Sequence, residues 1–262
     1  DIMHSILILI ALAIAPGLFL LWFYYKKDVY EPEPKKLVIK TFIFGALIAF
    51  PVSIIESIFV SPSIINGDFL QLFIYAFLVI ATTEEFGKFL VVKSVAYNSS
   101  EFNEIMDGIV YAVASALGFA TLENIFYVME GGVTTAIARA ILAVPGHAFF
   151  GGLMGYYMGL AKFNKDKEYT LLGTGLLLAI IAHGTYDFLL FTNTIFAVFI
   201  IPLIIIIYWI VSKNIEKAED QSPFKEQYLQ ELLIKDRKYC TNCGNLLRPN
   251  ALYCNECGEK VE

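Results

Sequence analysis

Eight ionisable residues stand inside long apolar runs of this sequence: Glu84, Glu85, Lys88, Glu123, Arg139, His147, His183 and Asp187. A charged side chain at the centre of a membrane helix costs about 2.5–3.5 kcal/mol even on the lenient insertion scale, so these residues should face one another or a water-filled cavity. Their spacing supports convergence. Lys88 is four residues from Glu84 and three from Glu85, which puts an ammonium and two carboxylates on one helical face. Asp187 is four residues from His183, so it can accept from one imidazole nitrogen and fix the tautomer of the other. Three glutamates, two histidines and an aspartate form a hydrolytic constellation. A buried glutamate can take a proton from water while a histidine orients that water or stabilises the oxyanion. The same ligand set is compatible with a divalent metal that acidifies the water. No H-E-x-x-H is present and the candidates come from four runs, so spacing does not choose between the two.

The elements that must carry these residues are membrane helices. Of 262 residues, 57% are hydrophobic and 17% charged, and the mean hydropathy is +0.63. Apolar runs of about 18 residues or more are long enough to cross a hydrocarbon core of roughly 30 Å as helices. They do not alternate as barrel strands would. Seven spans are predicted, at Ile6–Tyr24, Leu37–Val60, Phe69–Val92, Ile109–Val128, Ala136–Leu160, Leu171–Phe191 and Ile195–Val211. The first lacks a basic n-region and reads as a span, not a signal peptide. The fold class is therefore all-α, a polytopic transmembrane helix bundle.

Lysines follow spans one, three and five and recur in the tail, while the loops after spans two, four and six have none. The positive-inside rule then places the N-terminus outside and the C-terminus in the cytoplasm of a prokaryotic-type cell membrane. Small residues from Gly108 to Ala120 and glycines at 146, 151, 152, 155 and 159 are expected to let helices approach closely. Pro145-Gly146 is expected to bend span five beside His147. On these boundaries Glu85 lies about two turns nearer the cytoplasm than Glu123 and His183.

Plainer readings apply to several residues. Glu56 and Lys40 are read as structural or snorkelling, and Asp107 and Glu130 as solvated at span ends. Glu84, Glu85, Lys88 and Glu123 would also suit an internal salt-bridge network. A non-catalytic scaffold or receptor and a proton-coupled transporter remain as rival functions; the latter lacks the internal repeat it would ideally show.

Beyond Ser212 the composition turns polar. Residues 1–212 are read as the membrane domain, 213–238 as a cytoplasmic linker with a short amphipathic stretch, and 239–262 as a four-cysteine zinc ribbon. Cys240, Cys243, Cys254 and Cys257 form two C-x-x-C-G knuckles, and they are all the cysteines of the chain. Two such pairs bring four thiolates to one tetrahedral Zn2+. In a cytosolic segment disulfides rarely persist. From Lys213 onward the tail has eight basic and nine acidic residues, so no nucleic acid is expected as a partner. A folding clamp or a docking site for a cytoplasmic protein fits better.

Four ordered motifs suggest a family. Glu84-Glu85-Phe-Gly-Lys88 matches E-E-x-x-K. Asp107-Gly108 leads to Phe119-Ala-Thr-Leu-Glu123-Asn124, an F-x-x-x-E-N motif. Arg139 precedes His147-Ala-Phe-Phe-Gly151, and His183-Gly-Thr-Tyr-Asp187 comes last. In this order, with the Tyr30-Glu31-Pro32-Glu33-Pro34 loop, they resemble the PrsW family of membrane proteases over roughly residues 30–191. The resemblance implies an intramembrane endopeptidase distantly related to the prenyl-protein (CAAX) proteases, acting on membrane-anchored proteins such as anti-sigma factors in regulated proteolysis. It implies Glu84 as general base, with His147 and His183 holding water or oxyanion. Glu123 stands where the CAAX enzymes have a histidine, which makes this site more acidic. The expected site is Glu84, Glu85, Glu123, His147, His183 and Asp187, with Lys88, Asn124 and Arg139 in substrate-positioning or electrostatic support and a second divalent metal compatible with it.

Overall fold

The computed structural model describes residues 2–60, 68–235, 239–240, 242–247 and 252–260. It divides into two compact units, Asp1–Ser222 and Pro223–Glu262.

The regular structure described in the first unit is all helical. Helix α1 (Ile2–Tyr25) and α2 (Lys35–Ile58) precede a segment made of α3 (Phe69–Ile74), a π-helical stretch (Tyr75–Ala81) and α4 (Thr82–Val95). Then come α5 (Ile105–Ile141), α6 (Ala143–Phe163), α7 (Glu168–Phe191) and α8 (Ile200–Asp220). Among the described residues, six helical segments are long and apolar enough to cross a membrane. One of them, Ile105–Phe163, has 59 residues. As one straight helix it would run to about 88 Å, nearly three hydrocarbon thicknesses, and it contains α5 and α6. Outward faces carry large apolar side chains such as Leu7, Phe19, Trp22, Ile54, Ile206 and Trp209, while carboxylates and lysine are buried inside. This inverts the order of a soluble protein, and it is the arrangement of an integral membrane protein, in which lipid covers the apolar exterior.

Helix α5 is the axis of the bundle, buried without interruption from Met106 to Thr121. Its burial follows from its small residues. A Cβ on Gly108 would overlap the backbone of Gly155 and Gly159, and a Cβ on Gly155 or Gly159 would overlap the backbone of α5. The predicted glycine stripe of α6 therefore lies on α5, antiparallel, with almost no side chain between them. On an adjoining face Gly118 meets the backbone at Phe42, and Gly45 meets that at Ser115, which sets α2 equally close.

The boundary between spans four and five differs from expectation. Helix continues through 129–135, where a loop was predicted, and the chain turns inside α5 at Gly132, which has φ 68° and ψ −157°. The segment beyond folds back, since Arg139 reaches Asn124, fifteen residues earlier. A new helix begins only at Ala143. Arg139 thus belongs to the end of α5, not to the helix of His147. Pro145 does not bend that helix but sits in its first turn, where its missing N–H has no intrahelical partner to lose. The backbone angles of Gly132 fall in a region almost confined to glycine, so Gly132→Ala should add about 1–3 kcal/mol of strain. We expect a lowered unfolding temperature, and displacement of Arg139 should reduce activity as well. An unchanged melting curve would contradict this account of the turn.

In the second unit, α9 (Lys225–Lys235) spans the predicted amphipathic stretch. Two cysteine knuckles follow. Gly244 and Gly258 take φ of 72° and 74°, and each donates its N–H back to the first cysteine of its pair, at 2.8 and 2.9 Å. A side chain at these positions would be strained, which explains the C-x-x-C-G pattern.

Candidate active site

The Glu-Glu-Lys cluster is carried by the first two turns of α4, directly after the π-helical stretch. Such stretches shift the phase of the residues that follow and recur at functional sites. Thr82 and Thr83 hydroxyls bond back to the carbonyls of Phe77 and Val79, at 2.7 Å each. Lys88 donates to Glu84 at 2.9 Å and to Glu85 at 2.7 Å, and lies 3.0 Å from His147 Nδ1. Its ammonium also stands 4.4 Å from the ring centre of Phe119. The Lys88 carbonyl accepts from Ser115 at 3.1 Å, which fixes α4 to α5.

The two histidines meet on this cluster from α6 and α7, their ring centres 5.1 Å apart. His147 Nε2 is 3.0 Å from Glu123 Oε2. Because Nδ1 faces an ammonium, which only donates, the ring proton belongs on Nε2, directed at Glu123. His183 Nδ1 is 2.8 Å from Glu85 and its Nε2 is 3.2 Å from Asp187. Both neighbours are carboxylates, so both nitrogens act as donors in this arrangement. Phe150 stacks on the same ring at 5.0 Å. Arg139 completes the network, donating to Glu123 at 2.8 Å and to Asn124 at 2.7 Å, over the ring of Tyr127. The Asn124 amide in turn donates to Ala13 O at 2.7 Å, tying α1 to α5.

All nine residues singled out in the membrane domain therefore lie in one connected group. The two-turn difference in depth expected for Glu85 is absent, since Glu85 touches His183 directly. Ligand atoms of Glu84, Glu85, His147 and His183 lie within 4.8 Å of one another and all four residues are buried. Glu84, Glu123, His147, His183 and Asp187 line a cavity of about 420 Å³. Glu85 does not line it, and its Oε2 has no hydrogen-bond partner.

Two residues do not behave as the sequence suggested. Glu56, read as structural, lines the same cavity and accepts from Thr83 at 3.2 Å. Its signal was the same as for the others, a carboxylate in an apolar run. Asp107 is not solvated but wholly buried, and it accepts from the backbone of Asn103 and Glu104 at 2.6 and 2.7 Å. Tyr75, Tyr127 and Tyr186 also line the cavity, and nothing in their spacing marked them.

In the tail the four cysteines gather with Sγ atoms 3.5 Å apart for Cys240–Cys257 and 3.6 Å for Cys243–Cys254. A tetrahedron of thiolates about 2.3 Å from zinc has edges of about 3.8 Å. The cluster is consistent with a zinc-binding module.

Residues 33–212 match the model of a family described as PrsW family intramembrane metalloprotease. Protease PrsW of Geobacillus kaustophilus (strain HTA426) is 40% identical over 211 residues, covering 80% of this chain and 92% of that protein. Protease PrsW of Bacillus subtilis (strain 168) is 35% identical over 211 residues, covering 80% and 95%. That of Clostridioides difficile (strain 630) is 33% identical over 217 residues, covering 80% and 90%. No solved structure matches the chain. With a family model across well over half of its length and relatives aligned over four-fifths of it, this membrane protein belongs to the PrsW family of proteases.

Proposed function

We propose that this protease hydrolyses peptide bonds of membrane-anchored protein substrates at the cavity, by metal-assisted activation of water. The observation that carries this reading is the convergence of two carboxylates and two imidazoles within 4.8 Å of one another. The donor set fits a divalent metal. Lys88 Nζ lies within 3.0 Å of three of the four donors, so a cation is already favoured at that point, and Glu85 Oε2 lacks a partner.

Glu85, His147 and His183 would hold the metal, the two-histidine, one-carboxylate set of many catalytic zinc sites. Bound there, it would acidify a water and polarise the scissile carbonyl. Glu84 stands on the cavity wall, its Oε2 4.0 Å from His147 Nδ1 and 3.9 Å from His183 Nε2. It takes the proton of the attacking water and returns it to the leaving amine. Glu123 and Asp187 each hold one imidazole by its other nitrogen, which keeps the rings oriented. Arg139 neutralises Glu123 and, with Asn124, fixes its position.

The chain lies with its N-terminus outside and its C-terminus in the cytoplasm. There Cys240, Cys243, Cys254 and Cys257 hold a structural zinc in a module suited to docking a cytoplasmic protein.

Elemental analysis of the purified full chain tests both metals. We expect two equivalents of transition metal, zinc included, per chain. One should be lost when the four cysteines are replaced by serine, and the other in His183→Ala. Cleavage should cease on chelation of the second. A single, cysteine-dependent equivalent with chelator-resistant cleavage would exclude the metal mechanism and leave Glu84 acting on water alone.

A further inference from the structure

A second group of acids lies away from the cavity, where the loop after α1 meets the N-terminus of α5. Asp28, Glu33, Glu104 and Asp107 are at most 3% exposed. Each has one oxygen held by a donor of the chain. Asp28 Oδ2 accepts from Glu33 N at 3.2 Å, and Glu33 Oε2 accepts from the Tyr111 hydroxyl. Asp107 Oδ2 accepts from two backbone amides, and Glu104 accepts from the Asp107 amide in a capping box. The other oxygen of each, Asp28 Oδ1, Glu33 Oε1, Glu104 Oε2 and Asp107 Oδ1, is buried with no donor. Among the described residues no lysine or arginine forms an ion pair with any of the four. Four oriented carboxylates with four unpartnered oxygens are not a packing accident, because each buried unpaired acceptor costs about 1–3 kcal/mol, more when charged.

We propose that Asp28, Glu104 and Asp107, with Glu33 beside them, bind a hard divalent cation of the calcium type. Carboxylate oxygens of the first three lie within 4.8 Å of one another. Two oxygens bound to one Ca2+ at about 2.3–2.6 Å stand at most about 5 Å apart, so the spacing of the group is compatible with that ion. An all-oxygen set of this kind disfavours zinc. The ion would clamp the 26–34 loop to α5, at the same end of the bundle as Lys26 and Lys27. This site is independent of the proteolytic centre and of the cysteine module.

Calcium binding and thermal unfolding of the chelator-treated full chain decide the matter. We expect one calcium per chain and, at about a hundredfold excess over Kd, a rise in unfolding temperature of about 5 °C. Both should disappear in Asp28→Asn and in Glu104→Gln and persist in Glu84→Gln. If wild type takes up no calcium, or if both variants keep it, the proposal fails. Loss of the calcium in Glu84→Gln would instead assign it to the intramembrane cluster. If shared protons hold the carboxyls, Asp28→Asn will unfold at the same or a higher temperature and calcium will have no effect on wild type. That outcome too overturns the site.

Discussion

Glu84→Gln is expected to lower the cleavage rate by about a thousandfold or more while leaving the metal and the fold in place. The amide keeps the shape of the side chain and can still accept from Lys88, but it cannot take a proton from water. Losing a general base that serves both the attack and the departure of the amine removes typically a factor of 10² to 10⁴. His183→Ala should be at least as damaging for a different reason. It empties a ligand position, leaves Glu85 with Lys88 alone and takes the imidazole from Asp187, so metal content and activity should fall together. Asp187→Asn should be milder, by about 10- to 100-fold, because it only loosens the orientation of His183. Turnover of a membrane-anchored substrate by purified variants in detergent or vesicles, read beside metal content, separates the three. Near-wild-type cleavage by Glu84→Gln would remove Glu84 from the mechanism, whatever the behaviour of the histidines.

The other large effect concerns the fold. Gly155→Leu should destabilise the bundle by about 3 kcal/mol or more, because its first carbon would overlap the backbone at Gly108 and Ile109. Backbone cannot move aside as a flexible side chain can, so α5 and α6 would have to separate and release their contacts along several turns. Gly173→Leu is the control, since nothing lies near a side chain there and the position is exposed. Unfolding followed in mixed micelles should show a marked loss for the first and little change for the second. The separation of α5 from α6 would also move Glu123 away from His147, so activity should fall with stability in Gly155→Leu. Equal stability of both variants would refute the close crossing.

Much of the site was legible because the membrane makes ionised groups conspicuous. Glu84, Glu85, Glu123, His147, His183 and Asp187 each break an apolar run, and three of the direct contacts, Lys88 with its two glutamates and His183 with Asp187, were implied by helical spacing alone. Glu56 carried the same signal but was read as structural or snorkelling, and Asp107 was read as solvated because a residue near a span end normally reaches water. Glu56 instead lines the cavity, half-buried, and Asp107 is wholly buried. The turn at Gly132 falls inside the loop expected at 129–135, but the extent of helix around it was not foreseen. A glycine pair in a polar gap is a good loop signal, but helix persists on both sides of a single reversed residue, and no local rule says where it resumes.

The sequence by itself determined what is set by composition and local periodicity. These are the membrane helices, the cysteine module, the small-residue stripes and the choice of residue types for hydrolysis. Tertiary structure decided what depends on how helices cross. It brought Lys88 to His147 across fifty-nine positions and His183 to Glu85 across ninety-eight, folded Arg139 back onto Glu123, and enclosed Asp28, Glu33, Glu104 and Asp107 in one pocket of unpartnered oxygens. Such contacts are fixed by interhelical packing of glycine against backbone, and their distances in space have no counterpart in spacing along the chain.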